Sequence, residues 1–283
     1  MEIYKLETGN LKLDGGAMFG VVPKTLWQKV YPADEKNLIT LSMRSMLVID
    51  GNRKIIIDTG IGDKQDEKFF SHYYLSGDDT LAGSLKKTGF REEEITDVIL
   101  THLHFDHCGG AVQKDKDGNL TLTFPNAIHH VSEIQWNAAV TPNAREKASF
   151  LKENILPIQE NHMLSFIENG KHISENVRIK LFHGHTAGQA IPFIKFANHT
   201  LVYIADVIPA VANIPLAWIT AYDMEPSKAL EEKERFLNEA VDNNYTLFFE
   251  HDIYNECCTV KHTEKGVRLN EVYSLHEWIN RTT

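Results

Sequence analysis

Thr101-His102-Leu103-His104-Phe105-Asp106-His107-Cys108-Gly109-Gly110 places three histidines and a carboxylate within six residues. The stretch follows Val98-Ile99-Leu100, an apolar, partly β-branched run short enough to form a buried strand. Alternation along an extended chain sends His102 and His104 to one side, and the turn that follows brings Asp106 and His107 back beside them. Imidazole with carboxylate suits zinc, iron or manganese. One loop can therefore serve two adjacent ions.

Outward from this loop, the same event recurs. Val177-Arg178-Ile179-Lys180-Leu181 alternates as a strand and ends on His183-Gly184-His185-Thr186-Ala187-Gly188. Ile191–Phe196 and Thr200–Ile204 read as strands, the second ending at Asp206. After a helix from Ser227 to about Val241, Tyr245–Phe249 reads as a strand ending at Glu250-His251-Asp252. Four apolar runs thus stop on metal-competent residues, and strand ends along one edge of a layered α/β fold share a crevice. Toward the N-terminus, Leu41–Ile49 and Arg53–Asp58 form a hairpin around Asp50-Gly51-Asn52. The hairpin runs into Asp58-Thr59-Gly60, where Asp58 can accept the second N–H of a metal-bound imidazole.

The remaining chain gives weaker signals. Ile3–Leu13 reads as an opening strand pair. Residues 14–37, with Met18, Phe19, Trp27 and Tyr31 among glycines and prolines, are too broken for regular structure yet too apolar for a plain loop. They suit a lid, a pocket wall or a dimer contact. Helices are predicted over Thr80–Thr88, from Ser132 to about Ala139, and over Ala144–Leu156 up to the breaker Pro157. His129 and His130 end a different strand and read as structural or as supports behind the ligands, His183 reads as structural, and Cys108 reads as a small buried side chain beneath the site.

The 283 residues carry 42% apolar and 24% charged residues, which fits a globular chain read as one domain over 1–283. A net charge of -10 argues against a nucleic-acid partner. Three cysteines make no disulfide framework. With no apolar run long enough for a membrane and no secretory leader, a cytoplasmic location is expected.

The spacing HxHxDH followed by Gly-Gly, with Asp58-Thr59-Gly60 before it and Gly184-His185-Thr186-Ala187-Gly188 after it, resembles the metallo-β-lactamase superfamily. The resemblance implies an αββα sandwich of two mixed sheets flanked by helices. It also implies two divalent metal ions, zinc foremost, with His102, His104 and His185 on the first, Asp106, His107 and His251 on the second, and Asp206 bridging both. A shared water or hydroxide would fill the open position, with Asp106 and Asp206 as the catalytic carboxylates and Asp58 steadying a ligand. Asp206-Val207-Ile208-Pro209, Asn213-Ile214-Pro215 and Tyr222-Asp223-Met224-Glu225-Pro226 look most like the group containing N-acyl homoserine lactone lactonases and methyl parathion hydrolase.

Opening of a lactone, N-acyl homoserine lactones included, or cleavage of a carboxylic ester is the activity so implied. A phosphotriesterase with the same site is the alternative, and a nuclease or non-catalytic nucleic-acid-binding module a more distant one. The substrate is expected to be small and neutral with an apolar group, against walls from Met18, Phe19, Trp27, Phe105, Ile208, Trp218 and Tyr222. One departure stands out. A lactonase branch carries tyrosine three residues after the bridging aspartate, where this chain has Pro209, and Tyr222 is the candidate replacement.

Overall fold

The computed structural model describes residues 1–283. Its strands are β1 (Glu2–Asp14), β2 (Leu38–Asp50), β3 (Arg53–Ile57), β4 (Asp97–Ile99), β5 (Val112–Lys114), β6 (Leu120–Leu122), β7 (Ile128–Ser132), β8 (Leu164–Ile167), β9 (Val177–Phe182), β10 (Gln189–Phe196), β11 (His199–Tyr203), β12 (Thr246–Phe248), β13 (Cys257–Thr263) and β14 (Gly266–Tyr273). They build two six-stranded sheets, ordered β1-β2-β3-β4-β7-β8 and β14-β13-β12-β11-β10-β9, with β5-β6 as a separate ribbon. Both large sheets are mixed: β3, β4, β7 and β8 run parallel beside an antiparallel β1-β2-β3 edge, and β11 and β12 are parallel within an otherwise antiparallel sheet.

The sheets share one core. Met46, Val48, Ile55, Ile57 and Ile99 of the first meet Val177, Ile179, Ile191, Val202 and Leu247 of the second in a single buried cluster. A second cluster joins Leu47, Ile56 and Val98 of the first sheet to Trp136, Ala139, Ile155 and Ile158 of helices Glu133–Val140 and Lys152–Glu160. Successive strand residues face opposite sides, so this split of neighbours is what a sheet covered on both faces requires. The long helix Pro226–Asp242 and the C-terminal helix Leu275–Thr282 add Phe236, Leu237, Leu275 and Trp278 to the shared core. The sandwich flanked by helices is as the resemblance implies.

Strand direction then places the site. Because β3 and β4 are parallel, their C-terminal ends, carrying Asp58 and the 101–110 loop, lie on one edge. In the second sheet β9 and β11 each run antiparallel to β10, and β12 runs parallel to β11. All three therefore end on the same edge and deliver His185, Asp206 and His251 there.

Three local readings need correction. Ile3–Leu13 is not a strand pair: Gly9, at φ 97, lets a bulge between Glu7 and Asn10 absorb the irregularity, and β1 continues to Asp14. The helix expected over Ala144–Leu156 begins only at Lys152, and Pro157 lies inside it. Asn143 Oδ1 accepts from the amides of Arg145 at 2.8 Å and Glu146 at 3.0 Å, which holds the preceding residues in turns. Residues 14–37 also contain the short helices Gly15–Phe19 and Lys24–Trp27, the first capped by Asp14, whose side chain accepts from Ala17 N at 2.9 Å.

The glycines after the histidine cluster are set by close approach. A Cβ on Gly110 would lie 2.2 Å from the Thr59 carbonyl oxygen, and one on Gly109 would lie 2.0 Å from that of Ile61. Backbone cannot swing aside as a side-chain tip can, so Gly110→Ala is expected to cost about 1–3 kcal/mol by overpacking. Urea unfolding at equilibrium, with metal loading held constant, measures that cost.

Candidate metal centre

The five histidines, all buried by packing, converge with Asp106 and Asp206, and four of them have Nδ1 already engaged. His185 Nδ1 donates to Asp223 Oδ1 at 3.0 Å, and His251 Nδ1 donates to the Ser42 carbonyl at 2.8 Å. His107 Nδ1 lies 2.9 Å from Glu250 Oε2 and 3.1 Å from Asp58 Oδ2, while His102 Nδ1 sits 3.0 Å from Thr101 Oγ1. His104 differs, its Nε2 lying 3.5 Å from Glu146 Oε1, near enough for charge attraction but without a hydrogen bond. Such partners fix tautomer and ring orientation, leaving the opposite nitrogen to face inward.

The inward-facing atoms form two groups around Asp206. Oδ2 of Asp206 lies 3.2 Å from His185 Nε2 and 4.0 Å from His102 Nε2, and His185 Nε2 is 3.3 Å from His104 Nδ1. Oδ1 lies 3.1 Å from His251 Nε2 and 3.6 Å from His107 Nε2, while Asp106 Oδ2 is 3.8 Å and 3.9 Å from the same two nitrogens. The edge of a tetrahedron with metal–nitrogen arms of 2.0–2.1 Å is about 3.3 Å, and the closer separations match it. One carboxylate thus faces both groups, one oxygen to each.

Buried polarity also calls for cations. His102 Nε2 is buried with no hydrogen-bond partner, which is costly unless something binds there. With both Nδ1 atoms donating outward, His107 Nε2 and His251 Nε2 face each other at 3.1 Å with lone pairs opposed. A proton can screen that contact without metal: burial pulls the His251 imidazole down, but the Asp206 carboxylate outweighs it and holds the ring up at about 9. The donor set fits two metal ions: His102, His104 and His185 could hold one, and Asp106, His107 and His251 the other.

Backbone geometry at the site is unusual in two places. Asp58 has φ 53 and Ala205, just before Asp206, has φ 41, both in the left-handed region that costs non-glycine residues about 1–3 kcal/mol. Asp58 accepts from Thr101 N at 2.7 Å and Thr101 Oγ1 at 2.6 Å, which ties it to the start of the histidine loop. The His251 turn is held against β2: Arg44 donates to the carbonyls of Phe249 at 2.8 Å and Asp252 at 3.1 Å, and Ser42 Oγ to that of Glu250 at 2.6 Å.

A cavity of about 280 Å³ opens onto this cluster, touching His104, Asp106, His185, Asp206 and His251. Its walls include Met18, Phe105 and Tyr222, together with Leu13, Tyr73, Arg145, Glu146, Thr220 and Met224. Four expected wall residues lie elsewhere. Phe19 and Trp27 stack on one another at 5.1 Å within a separate core cluster. Ile208 is fully buried in the main core, and Trp218 packs edge-on against Phe19 at 5.9 Å, lining a different surface hollow. The 14–37 segment therefore contributes one cavity residue, Met18, and otherwise packs on the body.

His183 Nδ1 accepts from Gly188 N at 3.1 Å within its own turn, His129 bonds to the Ala127 carbonyl and His130 to Asp97, so none joins the cluster. Cys108 is buried with its thiol on the Leu103 carbonyl at 3.3 Å, and burial pushes it up to about 12. Sequence reading missed Glu146, Asp223 and Glu250 as imidazole partners and Tyr73 as a wall. Only Glu250, adjacent to His251, and Asp223, inside a quoted motif, carried any signal.

The profile of the metallo-beta-lactamase superfamily matches residues 41–251, from β2 to the last clustered histidine. The chain belongs to the metallo-beta-lactamase superfamily. Within the superfamily, it is similar to a solved probable metal-dependent hydrolase from Staphylococcus aureus, 32% identical with a TM-score of 0.87 over 96% of each chain. An N-acyl homoserine lactonase from Bacillus cereus is 26% identical over 235 residues, 78% of this chain and 85% of that protein. AidC, a dizinc quorum-quenching lactonase solved with its product, shares the superfamily fold at a TM-score of 0.77 and 23% identity over 95% of this chain and 93% of that one. Two metal positions sharing Asp206 are in keeping with membership in this superfamily.

Proposed function

We propose that this chain is a metal-dependent hydrolase that opens a lactone or cleaves a carboxylic ester, N-acyl homoserine lactones included, with two zinc ions in the paired sites. The observation that carries the reading is the Asp206 carboxylate facing two imidazole groups at the floor of a cavity with apolar and phenolic walls. The lactonases among its relatives supply the substrate class. When bound, such ions polarise a carbonyl oxygen and make a water acidic near neutral pH.

The chain's own groups do the rest. Asp206 orients both positions at once, and Asp106, beside the second one and open to the cavity, is placed to pass a proton to the departing ring or ester oxygen. Tyr73 and Tyr222 line the same cavity, and neither hydroxyl donates to a protein acceptor. Burial and then the Asp106 charge push both phenols up to about 12, so they stay protonated and able to donate to a substrate carbonyl. Tyr222 is our candidate for the role left open at Pro209. Glu146 and Asp223 hold the rings of His104 and His185.

The test is a panel of N-hexanoyl homoserine lactone, an activated carboxylic ester, a paraoxon-like phosphotriester and a β-lactam, each with and without chelator. Chelator-sensitive lactone opening is the expected result; a strong preference for the phosphotriester would transfer the assignment to that reaction. Tyr222→Phe is expected to lower kcat/KM on the lactone by about 10–100-fold with metal content unchanged, the loss of one hydrogen bond made in the transition state.

The net charge of -10 supports a substrate other than nucleic acid. No helix is long and apolar enough to cross a membrane. Three free, buried cysteines support a reducing, cytoplasmic setting, and exposed Val21, Leu26 and Val30 support self-association through the 14–37 segment.

A further inference from the structure

Lys233 is an anomaly that the metal centre does not use. It lies on the second turn of the helix Pro226–Asp242, yet only 1% of it is exposed; burial pulls its ammonium down to about 7, while the Asp223 charge favours the cation. A buried ammonium is costly unless its donors are satisfied. Its three N–H groups are shared among four backbone carbonyls: Pro215 at 3.0 Å, Trp218 at 3.0 Å, Leu216 at 3.3 Å, and Asn213 closer still. All four belong to one short, irregular stretch of chain. A lysine in a cage of carbonyls does what a bound alkali cation would do there.

That stretch leads directly into the cavity. Asn213 Nδ2 donates to the Met18 carbonyl at 3.1 Å, and Ala221 N donates to the Ala17 carbonyl at 2.7 Å, tying the loop to the segment that carries the Met18 wall. Further on, Thr220, Tyr222 and Met224 line the cavity. Thr220 Oγ1 donates to Asp223 Oδ1 at 3.0 Å, and that carboxylate oxygen takes the His185 ring N–H. Between the 3-10 turn Val211–Asn213 and the helix at Pro226 there is no helix or strand. The loop's shape therefore rests on scattered backbone bonds, Trp218 N to the Pro215 carbonyl at 2.8 Å and Met224 N to that of His185 at 3.0 Å among them, and on the carbonyls that Lys233 gathers.

We propose that Lys233 is the positioning residue of the 213–223 loop: its ammonium gathers the loop carbonyls and thereby sets the cavity wall at Thr220 and Tyr222. It touches neither substrate nor ligands. The inference does not depend on which ester the cavity takes, and it is tested first without substrate.

Lys233→Met keeps the apolar stem and removes the cation, and Lys233→Arg keeps a cation and its donors. Amide hydrogen exchange is read by mass spectrometry on the metal-loaded proteins. Exchange across residues 211–224 is expected to quicken at least about tenfold in Lys233→Met, with the sheets unchanged, and to return toward wild type in Lys233→Arg. On the lactone, KM is expected to rise about tenfold while kcat stays within about threefold. Unchanged exchange across 211–224 in folded Lys233→Met overturns the proposal, as does equal acceleration throughout the molecule. Lys233→Gln, retaining two N–H donors, provides the same comparison where the methionine variant does not fold. Quickened exchange in a protein inert toward lactones would sink the substrate assignment and leave the lysine's role standing.

Discussion

Asp206→Ala is expected to lower kcat/KM by at least about 10³-fold and to leave the protein unable to hold two metal ions together. The two oxygens of Asp206 face different imidazole groups, 3.2 Å from His185 Nε2 on one side and 3.1 Å from His251 Nε2 on the other. Removing it deletes a ligand from each position and leaves like-charged ions, if both bind, without the anion between them. A loss of about 4 kcal/mol of transition-state stabilisation corresponds to about three powers of ten in rate. The fold is expected to survive, because Asp206 makes no hydrogen bond to the backbone beyond its own 3-10 turn. Metal stoichiometry by elemental analysis beside steady-state kinetics measures both effects. A variant with two ions per chain and a loss under tenfold would show that the bridge is dispensable.

Stripping the metal is expected to abolish activity and to lower the melting temperature by on the order of 10 °C. A site saturated a thousandfold above its Kd contributes about 4 kcal/mol to folding, and there are two. Zinc or cobalt should restore both properties, and differential scanning calorimetry of apo and reloaded protein measures the shift. Uptake also has a predictable pH dependence. In the metal-free cluster the His251 ring is held up at about 9, by Asp206 against the effect of burial, so below that pH its metal-facing nitrogen carries a proton. Metal must displace it. Apparent affinity therefore falls as pH falls, by about tenfold per unit for one displaced proton. Calorimetric titration at pH 7.5 in two buffers of different ionisation enthalpy should register the released proton; identical heats would argue against it.

The fold and the seven clustered residues were legible because strand-ending motifs are local. His102, His104, Asp106 and His107 occupy one loop, and Asp58, His185, Asp206 and His251 each follow an apolar run whose length and branching signal a strand. Parallel pairing of β3 with β4 and of β11 with β12 then brings those ends together. What escaped was everything set by long-range contact. Glu146 lies in a stretch that resembles a helix, and only the Asn143 cap and the pull of Thr186, whose hydroxyl donates to it at 2.6 Å, reveal why it turns inward. Ile3–Leu13 reads as two strands, and only its pairing with β2 shows one strand with a bulge between Glu7 and Asn10. Phe19 and Trp27 are large apolar residues in a broken segment, but apolarity alone cannot distinguish a wall from a core, and their stacking sends them inward.

The ligands divide between the layers: the first sheet supplies His102, His104, Asp106 and His107, and the second supplies His185, Asp206 and His251. An ion held in either position would therefore act as a non-covalent rivet across the seam, released when the halves are pried apart. A cell short of the right cation would lose more than turnover. Chains without metal are then expected to keep a looser seam and to be cleaved faster by protease than loaded ones.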